Sequence, residues 1–195
     1  DNNNAEAADP IKYMGTVVVD SGTSGQFLDK SWIATDIPRG PETCLVDGQT
    51  VPAGPVYLVY TSFVGGTNNV RSKIMFSKST DCGATWSNPS KLSERFALNQ
   101  GTTIAVSPVD GTIYIAWRQF ANGSGEFDSI LFTFSRNGGR SFEPTQRILD
   151  LSTGVLKPFD QGSTPVTFRT NAYPALAVDA AGRVYVAVAA RGIQP

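Results

Sequence analysis

Short apolar runs separated by clusters of Gly, Pro, Asn and Asp occupy nearly the whole chain. The runs are rich in Val, Ile, Tyr, Phe and Trp and too brief for helices, which is the pattern of strands bounded by turns. It predicts strands over 15–20, 32–36, 56–62, 72–77, 102–107, 112–118, 129–135, 174–179 and 183–190, with weaker ones after Trp86 and Phe142. Helical periodicity is almost absent, so the expected class is all-β. Val56-Tyr57-Leu58-Val59-Tyr60 and Val184-Tyr185-Val186-Ala187-Val188 are apolar at every position. Strands of that kind are expected inside stacked sheets, covered on both faces.

The pattern repeats. Ser79-Thr80-Asp81-Cys82-Gly83-Ala84-Thr85-Trp86 aligns with Ser135-Arg136-Asn137-Gly138-Gly139-Arg140-Ser141-Phe142, and the copies start 56 residues apart. An apolar strand precedes each copy, a second strand precedes that one, and a Pro and a short strand follow (Pro89, Pro144). The stretch from Ala105 to Ala116 also matches the stretch from Ala175 to Ala187, and Trp32-Ile33-Ala34-Thr35-Asp36 opens the same unit earlier. Each unit reads as a four-stranded antiparallel meander, with a long insertion before Val56 in the first.

The octapeptide suits a hairpin between the third and fourth strands. Asp81 or Asn137 bonds local amides, and Ser79, Thr85, Ser135 and Ser141 close the turn onto its backbone. Gly83 and Gly139 take conformations that other residues resist. Trp86 or Phe142 packs beneath. These are folding roles.

The octapeptides resemble the Asp-box, or BNR repeat, of sialidase-like β-propellers. Asp81's copy matches in full and Asn137's departs by one residue. The segments from Gln26 to Ala34 and from Phe168 to Asp179 are similar to those leading into the first strand of a blade in bacterial secreted members. The resemblance covers 15 to the C-terminus. It implies an N-terminal extension over 1–14 and a partial propeller over 15–195. The blades would span 32–94, 102–150 and an incomplete 173–195, about 2.5–3 in this chain. It implies an extracytoplasmic module, non-catalytic as it stands, that binds glycan or protein partners. The alternative is part of an exo-glycosidase of sialidase type, cleaving terminal sugars. Such an enzyme needs an arginine cluster, an Asp acid and a Tyr-Glu nucleophile pair. No Phe-Arg-Ile-Pro arginine motif is present, and no catalytic residue is assigned.

Composition narrows the chemistry. The 195 residues carry 16 basic and 17 acidic side chains, a net charge of −1, which argues against a nucleic-acid binder relying on bulk positive charge. There is no histidine, so Ser-His-Asp catalysis and His-ligated metal sites are excluded, and two cysteines cannot form a four-thiolate cage. Asp110-Gly111 lacks the spacing of a calcium loop. No metal, cofactor, nucleic acid or membrane span is expected.

A meander puts its first and third turns on one edge and the second on the other. The edge opposite the octapeptides gathers Asp29, Lys30, Arg71, Arg95, Gln119, Glu126, Asp128, Arg169, Asn171 and Arg191. The resemblance places the ligand site there, with Arg169, Arg95, Asp29, Lys30 and Glu126 as candidate binding residues. Glu126 and Asp128 are carboxylates of the kind glycosidases use as acid and base; the plainer reading is solvated loop acids. Arg118, ending a strand, is expected to pair with a neighbouring unit. Cys44 in the insertion and Cys82 at the octapeptide tip share one edge, so a disulfide is expected, and with it an oxidising compartment. The open sheet edges near 15–20 and 174–190 call for covering polypeptide, either the rest of a propeller or other chains.

Overall fold

The structure is a computed structural model, which describes residues 13, 15–66, 70–93, 97–121, 127–152, 156–160 and 171–191. Strands hold 52% of these residues and helices none. The order is β1 (Gln26–Thr35), β2 (Thr43–Val46), β3 (Gln49–Pro52), β4 (Val56–Val64), β5 (Arg71–Ser79), β6 (Ser90–Lys91), β7 (Leu98–Val106), β8 (Ile113–Phe120), β9 (Ser129–Ser135), β10 (Gln146–Asp150), β11 (Lys157–Pro158), β12 (Ala175–Val178), β13 (Val184–Ala187) and β14 (Ala190–Arg191).

Two four-stranded antiparallel sheets carry the fold, in the orders β1-β4-β5-β6 and β7-β8-β9-β10. Their registers coincide. Val56 faces Ser79 in the first as Ile113 faces Ser135 in the second, and Val59 faces Phe76 as Ala116 faces Phe132. A third unit begins with β12 paired to β13 and continues as β11 paired to β14. None of these sheets closes on itself.

Alternation along β4, β5 and β8 sends Tyr57, Val59, Ile74 and Phe76 toward Ile113, Ile115 and Trp117, and these side chains form the main core between the two sheets. Burial of aliphatic and aromatic side chains at this seam holds the units together. The other face of the second sheet presents Ala116 and Ile130, which meet Leu176 and Val188 of the third unit. Arg39 adds a clamp: paired with Asp36, it donates to the carbonyls of Ser107 and Pro108 at 2.9 and 3.1 Å, tying the insertion to the β7–β8 turn.

The insertion before Val56 is more ordered than its Pro and Gly content implies, because β2 and β3 pair as a hairpin of their own. Residues 15–20 are not a strand. Val17, Val18, Val19 and Asp20 border a hollow with Leu28, Leu58 and Tyr60 of the first sheet, where Asp20 accepts a 2.5 Å bond from the Tyr60 hydroxyl. The expected strand over 183–190 divides into β13 and β14. Contrary to expectation, β13 is not covered on both faces; Tyr185 is 51% exposed. No described helix is long and apolar enough to cross a membrane.

Candidate functional site

Both octapeptides form the turn after the third strand of their sheets, on the same edge, and their hydrogen bonds match. The Ser79 hydroxyl donates to Asp81 Oδ1 at 2.8 Å and accepts from Gly83 N–H at 2.9 Å. Ser135 does the same with Asn137 and Gly139, at 2.9 and 3.0 Å. Asp81 accepts from the Thr85 amide and hydroxyl. Asn137 accepts from the Ser141 amide but donates its own Nδ2 to the Ser141 hydroxyl, so the change from carboxylate to amide only reverses one bond. The bonds from Thr85 and Ser79 lower the Asp81 pKa to about 2. The Ser, Asp or Asn, and Thr or Ser groups serve the turn, while the Gly138 carbonyl accepts from Lys78 of the first sheet.

The residue after Asp81 or Asn137 sits at positive φ, +66° for Gly138 and +58° for Cys82. An L-residue resists that conformation. The turn imposes it in both copies, and at this position Cys82 is bonded to Cys44, with Cα atoms 6.1 Å apart, the expected disulfide.

The opposite edge is built differently. β1 is irregular between Asp29 and Trp32, and β7 between Gln100 and Thr103. Lys30 and Gly101 hold positive φ at the two bulges, +52° and +70°. A bulge re-aims neighbouring side chains. Here it turns Asp29 and Gln100 toward each other, so that Gln100 Nε2 donates to Asp29 Oδ2 at 2.6 Å. The Tyr173 hydroxyl donates to Gln100 Oε1 at 2.6 Å and accepts from Asn171 Nδ2 at 2.6 Å. The Lys30 ammonium stands 5.9 Å from the centre of the Tyr173 ring. A polar chain from Asp29 through Gln100 and Tyr173 to Asn171 thus joins the entries of all three units.

This chain walls a cavity of about 480 Å3 that Phe27 and Phe63 line on the other side. Those rings are 6.2 Å apart, and Phe27 is 63% exposed. A smaller apolar hollow beside Lys30 and Tyr173 is lined by Trp32 and Thr102, whose buried hydroxyl has no partner among the described residues. An aromatic wall facing fixed amide, carboxylate and ammonium groups suits a ligand with apolar faces and polar edges.

Arg118 supports this edge from beneath. It is fully buried, forms paired bonds of 2.7–2.8 Å to Asp128, and two of 2.7 Å to Asp160. Its guanidinium stacks 4.1 Å above Phe120, which meets the Tyr173 ring edge-on. Asp160 also accepts from the Ala172 amide. Burial works against charge on both groups, but the mutual bonds prevail: the Arg118 pKa is raised and that of Asp160 lowered. The expected pairing with a neighbouring unit is therefore present, since Asp160 lies on the approach to β12.

Of the candidate binding residues, Asp29 and Lys30 meet at the cavity, while Arg95, Glu126 and Arg169 lie outside the described residues. Asp128 is committed to Arg118 rather than standing as a free acid. Sequence reasoning missed Gln100 and Tyr173. The interruption of an apolar strand by Asn99-Gln100-Gly101 was the available signal. Among the described residues no cluster of His, Cys, Asp or Glu could hold a metal ion. Comparisons with protein-family models, curated proteins and solved structures find no match to this chain.

Proposed function

We propose that the chain is part of a secreted Asp-box β-propeller of sialidase-like type and that its cavity at Asp29, Lys30, Gln100 and Tyr173 binds a glycan. The two meanders and the incipient third are its blades, with further polypeptide completing the sheet edges. The observation that carries the reading is the Asp29–Gln100–Tyr173–Asn171 chain facing Phe27 and Phe63 across one cavity. Sugars present hydroxyls at their edges and C–H groups on their faces, which such walls match. Lys30 adds a positive charge without an ion pair among the described residues, suited to an acidic sugar. The disulfide fits an oxidising compartment.

Calorimetric titration with sialyllactose and with lactose tests the reading. Saturable binding of the sialylated sugar is expected, weakened at least tenfold by Lys30→Gly. Gly is the residue at the equivalent bulge of β7, so this variant keeps the backbone conformation. Absence of binding to either sugar overturns the proposal. Turnover of a fluorogenic sialoside by the same sample would favour the glycosidase alternative over a binding module.

A further inference from the structure

The seam between the two sheets has a specific seat. Tyr57 and Phe76 stack with ring centroids 6.0 Å apart and planes at 24°. The second octapeptide lands on this pair. Phe142 meets Phe76 edge-on at 4.9 Å, and a Cβ placed on Gly139 would lie 2.5 Å from the Phe76 ring. Lys78 Nζ donates to the Gly138 carbonyl at 2.7 Å. Under this cover Tyr57 and Phe76 are 3% and 2% exposed.

The second sheet carries a copy of the seat. The shared register makes Tyr114 the counterpart of Tyr57 and Phe132 that of Phe76. Tyr114 and Phe132 stack at 5.9 Å and 22°, nearly the same geometry. Both are only half-buried, with Phe134 extending the patch. The surface is continuous with the seam where Leu176 and Val188 of the third unit already pack. The third unit supplies a second indication. In the first two sheets the second strand pairs on both sides, β4 with β1 and β5, β8 with β7 and β9. β13 pairs with β12, and β14 beyond it with β11, while no described strand takes the other side of β13.

We infer that Tyr114 and Phe132 form the seat for a third octapeptide turn, whose preceding strand pairs antiparallel with the open side of β13. The occupant is a hairpin of the Ser-x-Asp/Asn-x-Gly-x-Ser/Thr-aromatic type. Its aromatic residue stands edge-on to Phe132, and its second glycine lies against that ring because a Cβ would not fit. The inference deepens the blade reading and stands apart from the glycan reading.

The test extends the full chain after Pro195 with a copy of its own 121–150 segment, which supplies a connection, strand, turn and short strand. Amide exchange across β13 is then measured with and without the extension. At least tenfold slower exchange is expected. It should be lost with Tyr114→Ala combined with Phe132→Ala, and lost again when the appended glycine at the place of Gly139 becomes Ala. The second change leaves the first 195 residues intact but also strains the turn's own backbone. The appended Phe at the place of Phe142, which holds no positive φ, is therefore changed to Ala as well, and loss of protection there decides the matter even if the aromatic variant fails to fold. Slow exchange that survives the appended Phe change shows edge pairing without the seat, overturning the inference while keeping the blades. Unchanged exchange in the extended chain overturns both.

Discussion

Phe142 stands edge-on against Phe76 at 4.9 Å, and this contact passes from the turn of one sheet to the third strand of the one before it. The octapeptide therefore has two tasks. Its Ser, Asp or Asn, and Thr or Ser residues fold the turn, and its glycine and aromatic residue dock it. Only the second copy has both tasks in view. Gly139 lies against Phe76, whereas no described residue lies within 4 Å of a Cβ at Gly83.

The two glycines should accordingly differ in cost. Both hold positive φ, so Ala at either loses about 1–2 kcal/mol to backbone strain. Gly139→Ala must also displace the Phe76 ring, adding roughly 1–3 kcal/mol. Urea unfolding of Gly83→Ala and Gly139→Ala should rank them in that order. Equal losses would mean that the ring moves aside freely.

Reduction should be felt at the same edge. The disulfide closes a separation of 38 residues, worth about 3–4 kcal/mol in the chain-entropy picture. Dithiothreitol should lower the unfolding midpoint. In the background Cys44→Ser, Cys82→Gly should be more stable than Cys82→Ala by about 1 kcal/mol, because position 82 stays at positive φ.

The two turns should respond differently to acid. The Asp81 pKa is depressed to about 2, so its carboxylate stabilises the fold above the ordinary carboxyl range. That contribution is lost as pH falls through about 2. Asn137 does not titrate. The Thr85 amide resonance should shift with a midpoint near pH 2, with Ser141 flat over the same range. An Asp81→Asn variant should abolish the Thr85 shift.

Arg118 holds two carboxylates at once, and Asp160 in turn holds the Ala172 amide beside Tyr173. Arg118→Met should destabilise by roughly 2–4 kcal/mol, since both acids lose their counterion. Arg118→Lys should recover only part of this, because an ammonium cannot span four oxygens. Amide exchange at Ala172 should quicken in both variants. Unchanged exchange there would separate Arg118 from the support of the cavity.

Much of the framework was legible. Alternation and turn residues located the strands of both sheets, and the octapeptide spacing disclosed their common register. Residues 15–20 misled because Val17-Val18-Val19 has strand composition, while the segment borders a hollow with Leu28, Leu58 and Tyr60 instead of pairing as a strand. The matching of Tyr114 to Tyr57 and Phe132 to Phe76 was present in the repeat, but only packing shows one pair covered and the other open. The cavity was half legible. Charge and edge position pointed to Asp29 and Lys30. Gln100 and Tyr173 are brought in by the two bulges, and a positive φ at Lys30 leaves no mark on composition.

The most direct measurement is a map of amide resonances in the isotope-labelled chain as sialyllactose is added. The account predicts shifts at Lys30, Gly101 and Tyr173, where three units meet at one edge, and none at Thr85 or Ser141 on the other. Shifts confined to the octapeptide edge, or no shifts at saturating sugar, would contradict it.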